Sequence, residues 1–327
     1  MALVLGLVFL LAGAWGCLAL WFRPPFEGRA RPLAPAAWAV FALLAVASIG
    51  RFPALAWAFG LAIAALLSWW LFWVRPSHAR QWMPEVERQT HGEIHGPVVT
   101  LHNVRDFAWR SATDFEARWL SRSHNLDELQ SVDVALSYWG RKAIAHTMVC
   151  FGFRNGDYTV FSIEIRRKVG DRFSELGGFF RHYELAVLAS TEEDSLKVRT
   201  NIRGEDAYLF RVKIPQKDAA ALFLAYVDTA NSLRRRPRFY NTLTANCTTL
   251  VYQLVDRVIP GMPFDYRILL SGYLPEYLHA LGALEGSASI EDRRRAGRFT
   301  DRARAVGEAE DFSSKIREGL PGSAPGL

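Results

Sequence analysis

Hydrophobic positions fall into two regimes along the chain. Over the first 74 residues they run almost unbroken, in the stretches "ALVLGLVFLLAGAWGCLALWF" (2–22), "APAAWAVFALLAVASIG" (34–50) and "ALAWAFGLAIAALLSWWLFWV" (54–74). The first and third reach the roughly 20 residues needed to cross hydrocarbon, and the second is at the short limit. "RPPFEGRARP" and "RFP" separate them and carry the Pro and Arg of interfacial loops. No basic segment precedes the first stretch and two more follow it, so three spans fit better than a cleaved signal. The third is expected to end at an aromatic belt of Trp69, Trp70 and Trp73.

Beyond about residue 96 the pattern shortens and alternates. "GPVVTLHNVRDFAWR" (96–110), "SVDVALSYWG" (131–140), "FFRHYELAVLAS" (179–190) and "DAYLFRVKI" (206–214) are rich in β-branched and aromatic residues and predict strands. "KAIAHTMVCFGFRNGDYTVFSIEIRRK" (142–168) predicts a hairpin about Asn155–Gly156. A two-residue turn would set His146 opposite Ile165, and a three-residue loop would set it opposite Glu164; both keep the two side chains close. "KDAAALFLAYVDTANSLRRR" (217–236) has helical spacing, with Leu222, Ala225, Tyr226 and Leu233 on one face. A second helix carries Cys247, Leu250, Val251, Leu254 and Val258 on one face and ends at Pro260–Gly261, with Asn246 as its N-cap. The last forty residues are polar and arginine-rich, which predicts a surface helix and a loose tail. The expected class is α+β: an antiparallel sheet packed by helices, preceded by a transmembrane helical region. The expected domains are 1–75, a membrane anchor, and 80–323, a soluble domain.

Charge adds little to this picture. The net +6 is the difference of 39 Lys plus Arg and 33 acids, and such dispersed charge is usually a solvated surface. No basic block with interleaved aromatics is present, so nucleic acid is not an expected partner; the bilayer is. Three cysteines cannot build a disulfide framework. Arg23, Arg29 and Arg31 in the first loop, against Arg51 in the second, and Arg75 and Arg80 after the third span would place the soluble domain in the cytoplasm.

The chemistry of interest lies at "RFYNTLTANCTTLVYQLVDRVIPG" (238–261). A thiol at a helix start sits at the positive end of the dipole, which lowers its pKa. A histidine on a strand can serve as its base and a carboxylate on the neighbouring strand can orient that base. Cys247, His146 and Glu164 are the candidates for these roles, with Ser162 or His182 as other choices for the third. Each also has an ordinary reading: a core cysteine, a satisfied strand histidine, and a Glu paired with Arg166 or Arg167. Cys150 is the rival thiol, but no helix start stands behind it. Asn246, Arg105 and Tyr240 are candidates for contacting substrate, as are Arg110 and Trp109. His91, His95 and His102 in "HGEIHGPVVTLHN" have no HExxH pattern, and glycines interrupt any helix there, so no metal is expected. No GxSxG elbow or phosphate-cradling loop occurs, and no cofactor is expected.

"HNVRDFAWRSATDFEARW", "AIAHTMVCFGFRNGDYTVFSIEIRR", "HYELAVLAS", "RPRFYNTLTANCTTLVY" and "FSSKIREGLPG" together resemble the bacterial DUF4105 proteins, the Lnb N-terminal periplasmic domain family. The resemblance runs from about residue 80 to 323. It implies a soluble domain on the periplasmic side of the inner membrane, against the arginine count. The order His146, Glu164, Cys247 also resembles circularly permuted papain-like enzymes of the NlpC/P60 type. That resemblance implies Cys247 as nucleophile, His146 as base and Glu164 as orienting group. The implied function is a membrane-anchored cysteine hydrolase or acyltransferase acting on an amide or ester of a lipid, lipoprotein or cell-wall peptide. The alternative is a non-catalytic envelope binding module with the same fold.

Overall fold

The computed structural model describes residues 2–26, 28–307 and 311–322. The chain divides into two compact units. One comprises residues 1–79 with two later segments, 172–184 and 239–242; the other holds 80–171, 185–238 and 243–327.

The first unit contains helices α1 (Ala2–Phe22), α2 (Leu33–Ser48) and α3 (Pro53–Phe72), each in a stretch long and apolar enough to cross a membrane. Small residues let them approach closely. A Cβ at Gly16 would overlap the Trp38 indole, and one at Gly13 would come within 2.8 Å of the Ala42 Cβ. Phe59 is fully buried between the helices and meets Phe9 and Phe41 edge-on at 5.1 Å each. Leu11, Leu43, Leu61 and Leu71 remain exposed on the outside, as lipid-facing side chains are. Of the expected belt, Trp73 is exposed while Trp70 is buried.

The second unit is built on a mixed α/β plan, a sheet packed by helices. Its strands are β1 (His91–His95), β2 (Val98–Arg105), β3 (Ala108–Trp109), β4 (Phe115–Glu116), β5 (Trp119–Asn125), β6 (Leu129–Tyr138), β7 (Ala145–Phe153), β8 (Tyr158–Arg166), β9 (Glu184–Ser190) and β10 (Asp206–Arg211). The main sheet runs β1-β2-β9-β8-β7-β6-β10, with β5 along β2, while β3 and β4 form a separate ribbon. Its ladders are antiparallel at β1–β2, β2–β5, β6–β7, β7–β8 and β6–β10. One parallel bridge joins Arg105 to Ser190. The strand expected from residue 179 starts only at Glu184; a 3₁₀ turn, Leu176–Phe180, precedes it.

Every residue of β7 is buried, because helices cover both faces. Helix α5 (Gln216–Arg235) lays Phe223 edge-on against Phe151, Phe153 and Phe161 at 5.2, 5.9 and 5.3 Å. Burying one such ring contributes about 2–3 kcal/mol. On the alternate positions of β7, Met148 and Cys150 join a cluster with Phe299, Ala303, Phe312 and Ile316. These come from the C-terminal region, in and beside α10 (Thr300–Ala305) and α11 (Phe312–Ile316), which follow α9 (Ile290–Gly297). That region is therefore no loose tail over its described residues. Arg317 is buried and bonds Glu192, the first residue of α4 (Glu192–Ser195), at 2.6 and 2.7 Å and Asp133 at 2.9 Å. Helix α6 (Thr249–Val258) buries Leu250, Val251 and Leu254.

Candidate thiol site

The hairpin β7–β8 sets the first two groups. Gly156, at φ 85°, occupies the left-handed position of a three-residue loop, and the Phe153 N–H donates to the Asp157 carbonyl across it. The ladder then pairs Met148 with Ser162. Two residues further along each strand are His146 and Glu164, so the second of the two expected registers is the one adopted. His146 Nε2 lies 3.1 Å from Glu164 Oε1 and 2.7 Å from Ser162 Oγ. The Ser162 hydroxyl donates to the same carboxylate oxygen at 2.5 Å. Ser162 thus joins Glu164 in holding the ring.

The third group is brought by the approach to α6. The helix starts at Thr249, so Cys247 lies in the turn just before it rather than inside it. Asn246 fixes this turn. Its Oδ1 accepts from the N–H groups of Thr248 and Thr249 at 2.8 Å each, and its carbonyl accepts from Leu250 N–H at 3.1 Å. The N-cap position itself is Thr248 rather than the expected Asn246; Asn246 caps the turn ahead of the helix, and its oxygen is spent on the backbone rather than on a substrate. The half-buried Cys247 thiol lies in hydrogen-bonding reach of His146 and of the Thr147 N–H. The Thr248 hydroxyl is 3.8 Å from the sulfur. With Nε2 turned to Ser162 and Glu164, Nδ1 is left for the thiol.

The electrostatics oppose desolvation at each group. Burial pushes the Cys247 thiol up, but the hydrogen bond and charge of His146, then the Thr147 N–H and the Thr248 hydroxyl, bring it below its ordinary value. Burial and the Arg199 charge push His146 down; the Glu164 charge and the hydrogen bonds to Cys247 and Glu164 outweigh them and raise it. Burial would raise Glu164, yet His146, Arg199 and Ser162 hold it far below the carboxylate range. A lowered thiol and a raised imidazole favour the thiolate–imidazolium pair.

One buried partner of Glu164 carries no local signal in the sequence. Arg199 projects from a π-helical turn, Val198–Ile202, with Nη2 3.7 Å from Glu164 and Nη1 3.2 Å from Glu205. Ser137 hydrogen-bonds the same Glu205. Only the tertiary fold brings these residues together.

Other expected residues are placed elsewhere. Arg105 is 8% exposed and bonds Asp194 at 2.7 and 3.1 Å, which takes it out of a substrate's reach. Trp109 Nε1 donates to the same Asp194 at 2.7 Å, and Arg110 pairs with Asp114 at the surface. Tyr240 belongs to the unit of apolar helices, against Gly178. His182 Nδ1 faces the Phe22 carbonyl there. Cys150 is fully buried, and burial, then the Glu192 charge, keeps its thiol well above the ordinary value, the signature of an unreactive thiol. His91 stacks on His102 at 4.9 Å; among the described residues no group of three or more His, Cys, Asp or Glu is placed to hold a metal.

Residues 115–272 match the model of the family described as the Lnb N-terminal periplasmic domain. No curated protein and no solved structure matches the chain. The matched segment runs through β7, β8 and the Cys247 turn, so all three site residues lie inside it.

Proposed function

We propose that the protein is a membrane-anchored cysteine hydrolase or acyltransferase, with Cys247 as nucleophile, His146 as base and Glu164 as the group that orients it. The observation that carries this reading is the His146 ring held between Glu164 and Ser162 at 3.1 and 2.7 Å, with the imidazole raised and the neighbouring Cys247 thiol lowered. In the reaction Cys247 Sγ attacks the carbonyl carbon of an amide or ester. The tetrahedral intermediate collapses as its C–N or C–O bond breaks, and the leaving group takes the proton from His146. His146 then removes a proton from water or another acceptor as that oxygen or nitrogen attacks the thioester, and the thiol is regenerated.

The start of α6 has fewer oxyanion donors than a bare helix end. Asn246 takes the N–H groups of Thr248 and Thr249, and Thr249 Oγ1 takes that of Asn246. The N–H of Cys247 has no hydrogen-bond partner among the described residues, and we assign it the oxyanion; one such donor is worth about 10²–10³ in rate. The permuted papain-like fold belongs to the same proposal, supported by the order of histidine strand and cysteine turn.

The periplasmic domain family and the three apolar helices support a membrane protein with a periplasmic domain. That goes against the arginine count. We infer a multi-pass protein of the inner membrane whose substrate is a lipid, lipoprotein or cell-wall peptide near the bilayer. The test is peptide mass spectrometry of the full chain, reconstituted in nanodiscs of bacterial envelope extract. A hydroxylamine-labile acyl adduct on Cys247, lost in His146→Ala, is expected, and its mass names the acyl donor as fatty or peptidic. No adduct in any fraction, with a thiol as inert as Cys150, would move the protein to the envelope binding modules.

A further inference from the structure

Of the two later segments in the first unit, the longer is residues 172–184. Its 3₁₀ turn, Leu176–Phe180, buries Gly177, Gly178 and Phe180. A Cβ on Gly178 would overlap the Thr242 hydroxyl and touch the Tyr240 ring, so the inner face is closely packed. Phe180 stacks on Phe22 at 5.7 Å and meets Trp70 edge-on at 6.3 Å. Arg181 donates from Nη1 to the carbonyls of Trp70 at 2.5 Å and Val74 at 3.4 Å, and Arg23 donates to the Arg181 carbonyl. These contacts fasten the segment to the C-terminal ends of α1 and α3, at the limit of their apolar stretches.

The outer face carries three large apolar side chains, flanked by the exposed Arg172 and Glu175. Phe173, Leu176 and Phe179 are 55, 54 and 41% exposed. In a 3₁₀ turn residues three apart eclipse, so Leu176 and Phe179 point the same way. At the end of α3, Phe72 and Trp73 are also exposed. Arg23 lies over the Phe239 ring at 4.8 Å and Arg181 over Trp70 at 5.2 Å. Mixed arginine and aromatic side chains at a span's end mark the water–lipid boundary. Three large apolar side chains facing water at that level would be an unexplained cost; continuing the lipid-facing surface of the helices, they have a partner.

We propose that residues 172–180 form an interfacial wedge, with Phe173, Leu176 and Phe179 inserted at the boundary of headgroups and acyl chains. The wedge rests on the membrane-spanning reading of α1–α3, not on the thiol chemistry. It ties to the bilayer a segment more than ninety residues beyond the last span.

The test uses the full chain in nanodiscs containing phosphatidylcholine with a photoactivatable diazirine near the carbonyl end of an acyl chain, followed by peptide mapping. Adducts at Phe173, Leu176 and Phe179 are expected at a yield within about threefold of those at Phe72 and Trp73. The triple variant Phe173→Ser, Leu176→Ser, Phe179→Ser, at exposed positions, should lose them at least tenfold while the helix adducts remain. Adducts on the helices but none on 172–180 would overturn the wedge alone. Absence of adducts from α1–α3 would overturn the membrane reading beneath it. Protein–protein crosslinks within this segment, obtained with a zero-length photochemical label, in place of lipid adducts would assign the patch to a second copy and overturn the wedge as well.

Discussion

Glu164 is the residue on which the electrostatics of the site turn. It holds His146 up, and His146 in turn holds Cys247 down. Glu164→Gln removes the charge but keeps the shape, so the imidazole should titrate lower and the Cys247 thiol higher. The pH midpoint of Cys247 alkylation is expected to move upward, and an unmoved midpoint would detach Glu164 from the thiol. The same carboxylate links stability to pH. Its folded pKa is depressed, so its contribution is present above its unfolded value of about 4.3 and lost as pH falls through the folded one. Urea melts of wild type and Glu164→Gln should therefore differ at pH 7 and converge in acid. That Cys247, His146 and Glu164 would lie together was legible because each sits beside a local signal: an asparagine ahead of a helix, a strand run, an "NG" turn. Arg105 was misread because a single arginine in a β-rich segment looks like a surface residue. Nothing near it in the chain announces Asp194, 89 residues away. Arg199 was invisible for the same reason.

At the scale of elements, a strong period was legible and a close approach was not. Helix α5 appeared within one residue of its expected start, with the expected face buried. The hairpin was legible as a hairpin, but its register depended on whether Gly156 closes a two- or a three-residue loop. "FFRHY" was read as strand because aromatics favour strands, whereas Gly177 and Gly178 let the chain coil tightly just ahead of it. Helix α5 also holds a defect that no pattern reveals. The Tyr226 hydroxyl is fully buried and has no hydrogen-bond partner among the described residues. An unmade buried hydrogen bond costs about 1–3 kcal/mol, so Tyr226→Phe should leave stability unchanged or raise it by about 1 kcal/mol. A drop in Tm would reveal a hidden partner for the hydroxyl. Gly297, at the end of α9, is the opposite case. A Cβ there would overlap the Leu209 carbonyl of β10, a backbone atom that cannot swing aside. Gly297→Ala should cost about 1–3 kcal/mol in the same melts.

For the whole molecule, the division into an apolar helical unit and a mixed α/β unit was legible from hydropathy, because the two regimes obey different periods. The return of two later segments to the helical unit was not, nor was the C-terminal region's place in the core. Arginine-rich composition predicts solvent, but Arg317 is 4% exposed and neutralises Glu192 and Asp133, 125 and 184 residues away along the chain. Breaking a buried pair leaves charge uncompensated, at about 3–5 kcal/mol. Arg317→Met should therefore unfold the α/β unit well below the wild-type midpoint, far more than Arg295→Met, whose partner Asp292 is exposed. The proposed role of the α/β unit is to activate one thiol. Its most direct test is the rate of iodoacetamide alkylation at Cys247 against pH, followed by peptide mass spectrometry in wild type and His146→Ala. A wild-type midpoint well under the ordinary thiol value of about 8.5 is expected, with Cys150 unlabelled and that low-pH reactivity lost in the variant. An ordinary midpoint in wild type, or a profile that His146→Ala leaves untouched, would contradict it.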